Sequence, residues 1–106
     1  MKVIKLMPEY ECWPLWYTGP EKFGDIDPRS LGLSDNLVKE ISGWAKAYDA
    51  TLNHEYPPDS RFNSREDAIS FVNNGFLLQK KISEELSGKY HVEYDCDIGI
   101  LDNYSV

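Results

Sequence analysis

The sequence predicts one small α+β domain, a mixed β-sheet with two amphipathic helices packed on one of its faces. Two stretches carry apolar residues at helical spacing behind a capping serine, and short apolar or alternating segments near both ends favour strands. The chain of 106 residues is a common size for one domain and too short for two. With 42% apolar and 13% aromatic residues it can bury a core, so we expect a single domain over residues 1–106.

The N-terminal third predicts two strands and a connection. Residues 2–7, KVIKLM, form a short apolar run that favours a strand buried on both faces. Pro14 lacks the N–H that a central strand needs, so residues 11–20 are expected to form an edge strand or an ordered loop. Residues 20–33 carry several Gly and Pro and indicate a connecting loop.

The first helix is predicted over residues 35–53. Ser34 is a good N-cap, and Asp35 follows it at the positive end of the helix dipole. Pro57 and Pro58 prevent the helix from continuing beyond residue 53. Its apolar stripe consists of Leu37, Ile41, Trp44, Ala45, Tyr48 and Leu52. Trp44 is therefore expected in the core, together with Trp13 or Trp16.

The second helix is predicted over residues 65–87. Ser64 can cap its start, and Ser87 with Gly88 can end it. The buried stripe consists of Ala68, Phe71, Val72, Gly75, Leu78, Ile82 and Leu86. Gly75 lowers helix stability in mid-helix, which indicates that a neighbour approaches closely there.

The C-terminal segment predicts a half-buried strand over residues 89–96. Its inward side chains are Tyr90, Val92, Tyr94 and Cys96, and its outward ones are His91, Glu93, Asp95 and Asp97. Residues 98–101, IGIL, favour a further short strand, and the last five residues are expected to be frayed.

The net charge of −7 selects among partners. An acidic field repels nucleic acid and anionic membranes and attracts basic proteins, although such a charge also serves solubility. No signal peptide and no run of about 20 apolar residues is visible, so we expect a soluble cytoplasmic protein with reduced thiols.

The residues that could carry catalysis form no recognisable motif. Cys12 with His54 or His91 could make a thiol site, and His91, Asp95 and Asp97 could bind a metal, but no local signature supports either set. No glycine pattern for a phosphate loop is present. We therefore expect no enzyme activity, no metal and no cofactor.

Two acidic, aromatic surfaces are candidates for partner binding, since interface cores favour Tyr and Trp while charges steer association. The first is the outward face of the C-terminal strand and the residues beyond it: Glu93, Asp95, Asp97, Asp102 and Tyr104. The second is the loop around Trp16, Tyr17, Asp25 and Asp27. The first could equally be a solvated strand face that discourages edge pairing.

Five segments together resemble a known family. They are MPEYECWPLW at 7–16, IDP at 26–28, LS at 33–34, WAKAYDATLN at 44–53 and the Pro, Ser and Phe residues of 57–62. Over residues 3–95 the chain resembles small acidic bacterial proteins of the contact-dependent inhibition and polymorphic-toxin immunity type, with YDATLN as the most specific string. Their recurring residues, Trp16, Trp44, Tyr48, Asp49 and Asn53, include no catalytic motif. The residues after Asp95 have no counterpart in the resemblance.

The resemblance implies an immunity protein that binds the toxin domain of a cognate effector. We expect a basic toxin, a nuclease, blocked at its active site by a monomer that binds 1:1 without touching nucleic acid. One alternative is a small metal-binding or hydrolytic enzyme that uses His91 and nearby carboxylates. Another is an adaptor with no toxin partner.

Overall fold

A three-stranded mixed sheet and two helices make up the described part of the chain, and the strand predicted at residues 98–101 lies outside it. The computed structural model describes residues 2–96, except for the side chain of Asp59. The elements are β1 (Lys2–Leu6), β2 (Leu15–Tyr17), a 3₁₀ turn (Pro28–Leu31), α1 (Asp35–Asp49), a second 3₁₀ turn (Pro57–Asp59), α2 (Arg65–Glu85) and β3 (Tyr90–Tyr94). The sheet order is β2-β1-β3, with β1 antiparallel to β2 and parallel to β3. The predicted α+β class is confirmed. Neither helix of residues 2–96 combines the length and the apolar composition that a membrane span requires.

The two faces of the sheet differ in burial. Ile4 and Leu6 of β1 are fully buried and join one core with side chains from both helices. Val3 and Lys5 point the other way and are only half-buried. The prediction that this strand is buried on both faces is therefore wrong, because the helices cover one face only. The edge-strand prediction holds for β2, and the predicted alternation of the C-terminal strand holds for β3, where Val92 is buried.

Helix α1 begins where the sequence predicts and ends earlier. The Ser34 hydroxyl accepts the N–H of Leu37 at 3.3 Å, while Glu85 accepts both the N–H and the hydroxyl of Ser34 at 2.7 Å each. The α-helix ends at Asp49, not near residue 53. After it, the N–H groups of Thr51 and Leu52 bond to carbonyls three residues back, so the chain tightens into turns before the prolines are reached.

Helix α2 begins after the predicted cap, since the Ser64 hydroxyl accepts the N–H of Asp67 at 3.1 Å. Its buried residues are Ala68, Phe71, Gly75, Leu78 and Ile82, at alternating spacings of three and four. Val72 is half-buried rather than buried, because it lies one position around the helix from this stripe. The helix ends at Glu85, and Gly88 turns the chain into β3 with a φ of 84°.

Gly75 is where β3 and α1 meet α2. The Tyr94 hydroxyl donates to the Val72 carbonyl at 2.8 Å and lies in the space that a side chain at residue 75 would need. A Cβ there would also come within 2.8 Å of Trp44. The predicted close approach at Gly75 is confirmed.

Trp44 is the largest residue at the helix–helix contact. Its ring stacks on Phe71 with centroids 4.4 Å apart, and its indole N–H donates to the Phe71 carbonyl at 2.9 Å. The side chain is 5% exposed. Trp13 and Trp16 are both half-buried, so the expectation that one of them joins the core is wrong. Neither packs between the helices: Trp13 follows β1 in a loop, and Trp16 is on the uncovered face of the sheet.

Trp44→Ala is expected to lower the free energy of unfolding by about 3–5 kcal/mol, because it removes a buried ring and leaves a cavity. Urea unfolding followed by circular dichroism measures this loss. A loss below about 1 kcal/mol would contradict the packing of this helix face.

The two helical glycines should respond to alanine in opposite directions. Gly75→Ala is expected to destabilise the protein by about 1–3 kcal/mol, because the new methyl group overlaps Tyr94 and Trp44. Gly43→Ala is expected to stabilise it by up to about 1 kcal/mol, because a Cβ at Gly43 meets nothing within 4 Å and alanine favours helix. Thermal unfolding of the pair tests both signs, and two shifts of the same sign would contradict the prediction.

Candidate partner-binding surface

The uncovered face of the sheet brings parts of the two predicted surfaces together. Lys5 of β1 is in register with Trp16 of β2 on one side and Glu93 of β3 on the other. All three side chains point away from the helices, because their neighbours in each strand face the core. Trp16 is fixed by its indole N–H, which donates to the Met7 carbonyl at 3.0 Å. A tryptophan, a lysine and a carboxylate thus form one row across this face.

The acidic charge of β3 is partly compensated. Asp95 forms an ion pair with Lys5 at 3.5 Å, and Glu93 is the register partner of the same lysine. His91 lies further back, opposite Val3. The other predicted members of this surface, Asp97, Asp102 and Tyr104, lie outside the described residues. Within the described chain, β3 and the residue that follows it contribute two carboxylates beside one lysine.

Two residues of the predicted loop surface have structural roles. Tyr17 points to the opposite face from Trp16, packs against the core and carries the Lys22 ammonium over its ring at 5.4 Å. Asp27 accepts the N–H of Arg29 at the start of the first 3₁₀ turn and binds its guanidinium at 2.6 Å. Arg29 thereby holds the pKa of Asp27 below its ordinary value. Trp16 and Asp25 remain as the outward members of the predicted set.

A cluster of carboxylates surrounds the loop between β1 and β2. We define the acidic loop patch as Glu9, Glu11, Asp25 and Asp49, which all act electrostatically on Cys12. Asp25 accepts the N–H of Trp13 at 2.8 Å, and Asp49, at the end of α1, accepts the N–H of Glu11 at 2.9 Å. The patch therefore joins the loop, the segment before the first 3₁₀ turn and the end of a helix.

The backbone of Glu11 is strained. Its φ of 60° lies in the left-handed region, where a residue with a side chain costs about 1–2 kcal/mol. The bond from its N–H to the Asp49 carboxylate holds it there. Strain of this kind persists where the surroundings determine the conformation, and it is enriched at functional sites.

The YDATLN string fastens this loop to the helix. Tyr48 stacks on Tyr10 with ring centroids 4.4 Å apart, and the Tyr10 hydroxyl bonds to the Thr51 hydroxyl at 2.8 Å. Asp49 supplies the bond to Glu11. Burial, with the neighbouring Tyr10 and Glu9, raises the pKa of Tyr48 well above its usual value, so its hydroxyl stays protonated.

The same string orders the connection between the helices. The Asn53 side-chain oxygen accepts the backbone N–H groups of Glu55 and Tyr56 at 3.0 Å each. The backbone N–H of Asn53 donates to the Ser60 hydroxyl at 2.7 Å. The recurring Asp49 and Asn53 are therefore scaffold residues of two loops.

The predicted binding residues include Asp25 but not Glu9, Glu11 or Asp49, and Asp49 is the patch member that the sequence connects least with the others. It lies 24 residues from Asp25 and at the end of a helix, so neither charge clustering nor spacing along the chain links it to the loop. Its recurrence in the resembling family was the available signal.

The described residues considered for catalysis are Cys12, His54, His91 and Asp95, while Asp97 lies outside the described part of the chain. Burial and the four patch carboxylates raise the pKa of the Cys12 thiol, which disfavours the reactive thiolate. His91 and Asp95 are four residues apart on extended backbone, so their Cα atoms are about 13 Å apart. The ligand atoms of one metal ion lie within roughly 4 Å of each other. Among residues 2–96, no group of three or more His, Cys, Asp and Glu side chains could hold a metal ion.

Comparison with known proteins agrees with this scaffold. No curated protein matches the chain. The family described as Serratia CdiI immunity protein-like matches residues 2–97, a span that contains both helices, all three strands and the acidic loop patch. This match confirms the resemblance that the sequence segments indicated. The chain belongs to the Serratia CdiI immunity protein-like family.

Proposed function

We propose that this protein is an immunity protein that binds the toxin domain of a cognate effector in the cytoplasm and blocks its active site. Membership of the CdiI immunity protein-like family is the observation that carries the proposal. We further propose that the toxin is a basic nuclease and that one immunity protein binds one toxin, without contacting nucleic acid and without catalysing a reaction.

The charge of the chain supports a basic partner. The net charge is −7. The four carboxylates of the acidic loop patch come from three segments of the fold, and hydrogen bonds from the β1–β2 loop to Asp25 and Asp49 hold these segments together. A nuclease active site must attract phosphate and is therefore positively charged. A carboxylate cluster can take the place of that phosphate, and its field accelerates encounter by about 10- to 1,000-fold.

Charge alone does not give the affinity that protection requires. A nanomolar complex needs about −12 kcal/mol, whereas exposed charges are screened beyond about 8 Å at physiological salt. Trp13 and Trp16 are half-buried beside the patch, where each ring can bury further area against a partner. We propose that these two rings anchor the toxin.

The outward face of β3 flanks this surface in the proposal. Glu93 and Asp95 lie across Lys5 from Trp16, so they would extend the acidic field along the sheet. Asp97, Asp102 and Tyr104 continue the proposed surface in sequence. Tyr17 and Asp27 would support this surface without touching the toxin. Tyr17 would do so by packing against the core, and Asp27 by capping the first 3₁₀ turn.

Charge reversal of the patch is expected to slow binding. Glu9→Lys/Glu11→Lys should lower the association rate at low salt by about tenfold or more and weaken its salt dependence, because steering depends on these charges. The measurement is stopped-flow binding to the cognate toxin domain, at low and at physiological salt.

Glu55→Lys/Glu84→Lys is the control, since it changes net charge equally at exposed positions outside the patch. The association rate of this control should stay within about threefold of the wild-type rate. Equal effects of both pairs would assign steering to overall charge. If Glu93→Lys/Asp95→Lys alone slows association, the β3 face is the binding surface instead.

Protection should not depend on the residues that could carry catalysis. Cys12→Ser, His54→Ala and His91→Ala are each expected to protect toxin-producing cells within a few-fold of wild type, because a binding mechanism needs no nucleophile or metal ligand. A growth competition measures this. Loss of protection by a variant that still folds and binds the toxin would contradict the proposal.

A further inference from the structure

A groove of about 600 Å³ runs between α1 and α2 on the surface of the helix pair. Trp44, Phe71 and Leu78 line its inner part, and Leu77, which is 60% exposed, lines its rim. The groove is thus apolar at its base and open to a partner, and it lies outside the acidic loop patch.

The α1 side of the groove is made of small residues. Gly43, Ala47 and Ala50 line it, at spacings of four and three that place them along one side of the helix. A Cβ at Gly43 would meet nothing within 4 Å, whereas the missing Cβ of Gly75 is replaced by Tyr94. Glycine lowers helix stability relative to alanine. At Gly43 no contact within the described chain offsets this cost.

The charges along the groove cancel. Glu40 and Lys81 pair at 2.7 Å at one end, and Asp67 and Arg61 line the other. A chain with a net charge of −7 therefore presents a neutral groove here. Asn63, Ser70 and Asn74 also line the groove, so the complementary partner surface is uncharged, with apolar side chains where it meets the base, unlike the basic surface that the acidic loop patch attracts.

The dimensions of the groove fit a helix. The side of the groove from Glu40 to Ala50, the C-cap of α1, is about 15 Å long, which matches roughly ten residues of a second helix. Two antiparallel helices with small residues between them leave a valley into which the ridge of a third helix packs. Helix-in-groove recognition places large apolar side chains at three- and four-residue spacing in such a valley.

We infer that the α1–α2 groove binds an uncharged helix of the toxin domain, whose apolar side chains enter the base of the groove, as a second contact separate from the acidic loop patch. The inference rests on the proposed function, because the toxin is the partner. The patch carboxylates govern the rate of association, and the groove lengthens the lifetime of the complex beyond what the anchors Trp13 and Trp16 give it.

Filling the groove tests the inference. Gly43→Leu is expected to raise the dissociation rate from the purified toxin domain by about tenfold or more, with little change in association rate, because the new side chain occupies the space of the partner helix. Asn36→Leu is the control: it adds the same side chain at an exposed, uncharged position of α1 outside the groove, and its dissociation rate should stay within about threefold of wild type.

A second variant tests the groove without changing Gly43. Leu77→Gln makes the rim polar at an exposed position, so folding should be retained while dissociation again accelerates. Thermal unfolding of each variant shows whether it folds.

The outcomes separate the two proposals. If wild type, Gly43→Leu and Leu77→Gln dissociate from the toxin at the same rate, the groove inference is overturned and the proposed function stands. If wild type does not bind the toxin, both fail. If sedimentation of the free protein shows a dimer that Gly43→Leu dissociates, the occupant is a second copy and the inference is overturned.

Discussion

The contact of Tyr94 with α2 at Gly75 connects the parts of this fold that the sequence places far apart. The hydroxyl of Tyr94 reaches the Val72 carbonyl over a helix position that has no side chain, and the ring borders Trp44. Because β3 is parallel to β1, the chain must cross the sheet through α1 and α2 before β3 can pair. The contact fixes where that crossing ends. It also sets the separation of α2 from the sheet and, through Trp44, the position of α1.

Placing both helices on one face has consequences for the rest of the surface. Among residues 2–96, no helix covers the opposite face of the sheet, which carries Trp16, Lys5 and Glu93 in one row. The ends of the helices meet the loops, where Asp49 and Asn53 satisfy backbone N–H groups that would otherwise have no partner. Asp49 therefore orders the loop that carries the acidic loop patch, and Asn53 orders the connection between the helices.

The molecule separates two properties that tight binding requires. Carboxylates gather around the β1–β2 loop, whereas the α1–α2 groove is neutral and apolar at its base. Charges act at a distance and speed encounter, while apolar contacts form only after docking and slow dissociation. In the proposed function, the first property suits the basic active site of a toxin and the second suits an apolar part of the same toxin. An inhibitor built in this way would bind fast and release slowly.

The sequence by itself determined the elements that depend on local interactions. Ser34 and Ser64 cap the two helices as predicted, the apolar stripes face the core, and β3 alternates, because caps and periodicity act within a few residues. Features that depend on long-range packing were decided only by the tertiary structure. In the described part of the chain the outer face of β1 is uncovered because both helices lie on the other side, and α1 ends early where Thr51 bonds to Tyr10 on one side and to Arg61 on the other. Likewise Asp49 joins Glu11 and Asp25 only once the end of α1 packs beside the β1–β2 loop, a proximity that no spacing along the chain encodes.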